Sequence, residues 1–181
     1  MNLLEMVLGS QNGDLVKELG RSFDLSGDDA QKAVGQLMPA LSRGIQRNAA
    51  GKGGMDALLK ALESGGHDRY LDRAGELGNR QAVADGNAIL GHILGSKDVS
   101  RKVAAMASGK TGVNEGILKQ MLPMVAVMAM GALSKEKAAR PVDRGSAADP
   151  GALDMLNSFL DADRDGSAMD DILGLAGKFF K

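Results

Sequence analysis

The chain has 181 residues, with 22 Lys plus Arg against 23 Asp plus Glu; its formal charge is −1, and 44% of residues are hydrophobic but only 3% aromatic. That length fits one ordinary domain, or one domain and a small appendage. No Cys and only two His are present, which excludes a disulfide, a thiolate zinc site, a Cys-ligated iron-sulfur cluster, a Cys nucleophile and any centre of three histidines.

The charge balance and a pI of about 6.1 argue against a strong electrostatic attraction to nucleic acid, which needs a basic face. Five aromatic residues are also too few for a base-stacking platform. Met1-Asn2-Leu3-Leu4-Glu5 lacks the basic lead and long apolar run of a secretion signal, so a cytoplasmic protein is expected. β-Branched and aromatic residues are scarce, and Ala, Leu, Met, Lys, Glu and Gln dominate the periodic segments. An all-α fold, a multi-helix bundle, is therefore predicted.

In chain order, the pattern predicts a short helix up to Leu8 and a second from Asp14 to Phe23. Ser26, with Asp29 three residues on, then resembles a capping box that opens a third. Its apolar face runs through Ala30, Ala33, Val34, Leu37, Met38, Leu41 and Ile45, past a Pro39 that should kink or interrupt it. Met55 to Leu62 forms another amphipathic segment, and Glu63 to Arg80 reads as loop with short helical turns. Two further helices are expected over Asp85 to Leu94 and Val99 to Ala107. The 25 glycines are about twice the usual share, and Gly9, Gly95 and Gly109 stand where helices should end.

Met121 to Leu133 is the longest nearly unbroken apolar stretch, 13 residues including Pro123, whereas a membrane span needs about 20. Met121, Met124, Met128 and Met130 make this helix apolar all round, so it must be buried in the core or against another subunit. Setting Pro39 against Pro123 reveals a weak internal repeat of helix, Gly-containing turn and proline-bearing helix. With two copies, coincidence stands beside that reading. Ala84, Ala88, Gly91 and Gly95 form a small-residue stripe that lets another helix approach. The helical domain is thus placed at residues 1–133.

Residues 134–150 are charged, poor in large apolar groups and punctuated by Pro141 and Pro150; they read as a flexible linker. Residues 151–181 then read as a helix-loop-helix. Leu153, Leu156 and Leu160 share one face of the first helix, with Met155 and Phe159 beside them. Ile172, Leu173, Leu175, Ala176, Phe179 and Phe180 furnish the second.

Between these helices, residues 161–171 hold five carboxylates against one Arg. So many negative charges in one short turn are costly unless water and salt screen them or a cation neutralises them. Asp161, Asp163 and Asp165 stand at alternate positions that converge on one centre, Gly166 permits the sharp turn, and the Ser167 carbonyl points inward. This is the first half of an EF-hand-type loop. The second half departs from it: position 12, where a bidentate Glu belongs, is Ile172, and Asp171 or Asp170 must close a shorter loop. Such a site predicts Ca²⁺ binding with a dissociation constant of about 10⁻⁶ to 10⁻³ M, with Mg²⁺ as competitor. The plainer alternative makes Asp170 and Asp171 helix-capping acids and the other Asp solvated turn residues.

Other signals are weaker. Ala104 to Thr111 fits a relaxed phosphate-loop pattern but reads as helix, without the preceding strand. His67 has only Asp68 and Asp72 nearby in sequence, and His92 has no partner motif; neither shows the converging groups that general-base catalysis needs. Arg43, Arg47 and Lys52 form a local basic cluster, and such charges are mostly solvated.

Taken together, the Leu-Ser-Gly-Asp-Asp and Leu-Met-Pro-Ala-Leu runs within Leu25 to Leu41, Gly86 to Gly95, the Leu-Pro helix at Pro123 and the closing Asp-x-Asp-x-Asp-Gly resemble the bacterial YidB-like proteins, the domain of unknown function 937 family. The resemblance covers most of the chain apart from the linker. It implies an all-helical fold with a homeodomain-like helix arrangement and brings no activity with it. The expected function is therefore non-enzymatic: a structural or protein-interaction module holding Ca²⁺ through Asp161, Asp163, Asp165, Ser167 and Asp171. A protein partner, or self-association through the Met-, Ala- and Gly-rich helices, is expected, with neither nucleic acid nor membrane. The alternative is a homeodomain-like DNA-binding module without metal, using the basic cluster.

Overall fold

A computed structural model describes residues 3–9 and 13–139 of the protein. Among the described residues there is no strand; the elements are α1 (Leu3–Leu8), α2 (Gly13–Arg21), α3 (Gly27–Ala50), α4 (Gly54–Ser64), α5 (Arg69–Asp72), a 3-10 turn (Ala74–Glu76), α6 (Arg80–Ile93), α7 (Lys97–Thr111) and α8 (Glu115–Ala139). The all-α expectation holds over this region.

Three helix starts are fixed by side chains that satisfy otherwise orphaned N–H groups. Ser26 Oγ accepts from the Asp29 N–H at 3.1 Å, and its hydroxyl donates to Asp29 Oδ2 at 2.8 Å. That hydroxyl, with Lys32, holds the Asp29 carboxyl below its ordinary pKa. The acid thus reaches the cap's hydroxyl, a variant of the capping box in which Asp is too short to return to the cap's own N–H. Asn79 and Ser96 start α6 and α7 in the same way, accepting from Ala82 and Val99.

Helix α8 is the axis of the bundle, packing against α1, α3, α4, α5, α6 and α7. Every residue from Met121 to Leu133 is buried. The methionines of this stretch therefore lie inside the core of the single chain, where a flexible thioether fills irregular gaps between several helices. At 25 residues, with an 18-residue window of mean hydropathy 1.5, α8 is long and apolar enough to cross a membrane, but 78% of that window is buried inside the fold. By contrast α3 buries one face, through Ala30, Ala33, Val34, Leu37, Met38, Leu41 and Ile45.

Two crossings depend on glycine. A Cβ on Gly86 of α6 would collide with the Pro123 carbonyl of α8, and one on Gly44 of α3 would lie 2.7 Å from the Ile93 carbonyl oxygen. Both pairs of helices are closer than any side chain allows. This corrects the small-residue stripe: Ala84, Ala88, Gly91 and Gly95 face outward, and the packed small residues of α6 are Ala82 and Gly86.

Several boundaries also move. Helix α3 continues through Pro39 to Ala50, and α8 through Pro123, because their neighbours hold the flanking turns in place. Gly109 lies inside α7, which instead ends at Gly112, in the left-handed conformation at φ 76°. Residues 134–139, placed in the linker by their polarity, are the last turns of α8. Tertiary hydrogen bonds hold them there.

Candidate functional site

Asp161, Asp163, Asp165, Ser167 and Asp171, the residues proposed to hold Ca²⁺, lie outside the described residues, as do the rest of the linker and the terminal helix-loop-helix. The described structure shows how firmly the helix leading to them is anchored. Ser134 Oγ donates to the Leu62 carbonyl at 3.2 Å; Lys137 Nζ donates to Glu63 Oε1 at 2.6 Å and the Leu59 carbonyl at 3.4 Å. These donors sit at the C-terminal end of α4, where unpaired carbonyls and the negative end of the helix dipole favour a cation. Lys135 pairs with Asp72 of α5. Among the described residues, no three His, Asp or Glu come together in a way that could hold a metal ion.

The polar group with most structure around it was only partly visible in the sequence. His67, between α4 and α5, is 8% exposed, and its Nδ1 has no hydrogen-bond partner. Burial lowers its pKa; Asp85 and Asp68 oppose that effect, and Arg69 adds to it. Tyr70, fully buried on α5, donates its hydroxyl hydrogen to Asp85 Oδ2 at 2.7 Å and accepts from Arg69 Nη2 at 2.7 Å. Gln81 Nε2 donates to the other carboxylate oxygen at 2.7 Å. Burial, then the bond to Asp85, pushes the Tyr70 phenol up. The Arg69 guanidinium carbon lies 4.6 Å from the centre of the Tyr70 ring, within cation–π range.

This network ties α5 to α6. With Tyr70 sealed and each Asp85 oxygen already accepting a bond, it acts as a clasp. The acids near His67 in sequence are not its chief electrostatic partners: Asp72 pairs with Lys135, and Asp85, 18 residues away, weighs more than Asp68. One signal pointed here: Tyr70 is the only Tyr in the chain, and a buried Tyr needs a partner for its hydroxyl.

Some of the other sequence candidates take part in the fold. From the basic cluster, Arg47 Nη2 donates to the Ile93 carbonyl at 3.4 Å, beside Asn48 Nδ2 on the His92 carbonyl at 2.6 Å. Together they cap the C-terminus of α6, and Gly44 admits it. The phosphate-loop-like segment is helix; its Thr111 donates to Ala107 and accepts from the Val113 N–H, while Ser108 donates to the Val113 carbonyl. An open groove between α2 and α5 is lined by Asp14, Lys17, Glu18, Arg21 and Asp72. Those charges are paired, Lys17 with Asp14 and Arg21 with Glu18 on α2, and Asp72 with Lys135.

Among the described residues, a helical bundle built on one axial helix that is buried from Met121 to Leu133 defines the class of this protein. The family described as bacterial protein of unknown function (DUF937) matches residues 5–136, and the chain belongs to it. That span ends before the acidic loop, which therefore stands on its own residue spacing. No curated protein and no solved structure matches the chain.

Proposed function

We propose that the protein is a non-enzymatic helical scaffold whose terminal helix-loop-helix binds a divalent cation, Ca²⁺ in preference to Mg²⁺. One observation carries this reading: Asp161, Asp163 and Asp165 alternate ahead of Gly166 and Ser167, the order that aims carboxylates and one backbone carbonyl at a common centre. Asp171 supplies the closing oxygens in place of a longer Glu. The shorter arm reduces affinity relative to a full loop. Neutralising the loop would let its two flanking helices hold a fixed angle and present their Leu and Phe faces to the main domain or to a protein partner.

Calorimetric titration with Ca²⁺ of the wild type and of the Asp163→Ala, Asp165→Ala double variant tests this directly. Heat with a dissociation constant of about 10⁻⁶ to 10⁻³ M is expected from the wild type and none from the variant. Equal heats, or none from either, overturn the proposal, and Mg²⁺ at the same concentrations measures the selectivity.

A further inference from the structure

Helix α7 carries the two large hydrophobic side chains that the fold leaves exposed among the described residues, Val99 at 37% and Met106 at 58%. They are seven residues apart and so lie on one line along the helix. Half-buried Val103 falls between them, and Lys110 extends the line by another turn. Inward, α7 offers small residues, Ala104 and Ala107. Val103 still packs against the core, whereas Val99 and Met106 are left to solvent. The cations on this stripe's side of the helix are Lys102 and Lys110, whereas Asp98 is paired with Arg101.

Past Ala139 the chain continues to Lys181, and that continuation has the complementary composition. Leu153, Leu156, Phe159 and Leu160 precede a loop with Asp161, Asp163, Asp165, Asp170 and Asp171 against Arg164. Reach is sufficient: the eleven residues 140–150 span up to about 36 Å when extended, close to the roughly 37 Å length of α8, along which α7 packs. A second copy meeting through the same stripe would set lysines against lysines. We infer that the apolar and basic stripe Val99, Val103, Met106 and Lys110 is the docking surface for residues 151–181 of the same chain. Apolar side chains seat on Val99 and Met106, and the acidic loop lies toward the lysines. This inference needs no bound cation and stands or falls apart from the calcium reading.

Because the chain has no Cys, paired cysteines report proximity cleanly. In the full chain, the Met106→Cys, Phe159→Cys variant is treated with a short thiol-specific cross-linker at low micromolar protein, beside two reference pairs. Glu63→Cys, Lys137→Cys joins side chains already in contact and must cross-link; Lys52→Cys, Phe159→Cys samples an exposed position off the stripe. Docking predicts an intramolecular product from the Met106 pair at least tenfold above the Lys52 pair, independent of protein concentration and reduced by Leu156→Asp. Equal yields from the Met106 and Lys52 pairs, while the Glu63 pair reacts, overturn the inference. So does a product that forms only between two chains and grows with concentration, which would assign the stripe to a second copy.

Discussion

Helices α3 and α8 are nearly equal in length, 24 and 25 residues, and each carries a proline in its interior, yet they occupy opposite kinds of position. Helix α3 shows water one face, and its apolar residues recur at helical spacing. Helix α8 has no solvent face from Met121 to Leu133. The contrast teaches that proline and length do not set a helix's place; the angular spread of its apolar residues does.

Truncation inside α8 should separate the two helices most. Met128→Ala, at a site with 0% exposure, is expected to cost about 2–5 kcal/mol by leaving a cavity between several helices. Gln36→Ala, on the outer face of α3, should stay within roughly 0.5 kcal/mol. Urea unfolding of both variants measures the difference.

Next comes the seat of α8 on α6. Gly86→Ala must push the Pro123 carbonyl away, with an expected loss of roughly 1–3 kcal/mol from overpacking, read as a lower melting temperature.

Tyr70→Phe opens the clasp between α5 and α6. Removing one bond to a carboxylate that keeps Gln81 and partial exposure should cost about 1–2 kcal/mol, and hydrogen exchange should quicken in α5 while the centre of α8 stays protected.

His67 gives the same region a pH signature. The native state holds its imidazole neutral through burial, whereas the unfolded chain takes up a proton near pH 6.5. Stability is therefore full above that pH and falls as the pH drops through it, by at most about 1.4 kcal/mol per pH unit for this group. Denaturant titrations from pH 8 to 5 should show that slope in the wild type and a shallower one in His67→Gln.

The smallest effect has the opposite sign. Gly91→Ala, where a Cβ meets nothing within 4 Å, should stabilise α6 by about 0.5–1 kcal/mol through helix propensity.

For the candidate site, the acidic loop could be proposed from the sequence because ligand spacing is a local property of the chain; its residues lie outside the described structure. The clasp could not be, because Tyr70 and Asp85 are 15 residues apart and meet only once α5 and α6 share a side of α8. Arg47 looked like part of a solvated basic cluster for the same reason: the carbonyl it caps is 46 residues away.

By itself the sequence determined the helical class, the cap at Ser26, the burial of Met121 to Leu133 and the family. Each of these follows from period, capping chemistry or composition within a few turns of helix. Tertiary structure decided that Gly86 and not Gly91 is the point of closest approach, that Ser134 to Ala139 stay helical, and that Asp72 answers Lys135. Those outcomes depend on how each helix is rotated about its own axis against its neighbours, a quantity fixed when side chains from distant segments pack together.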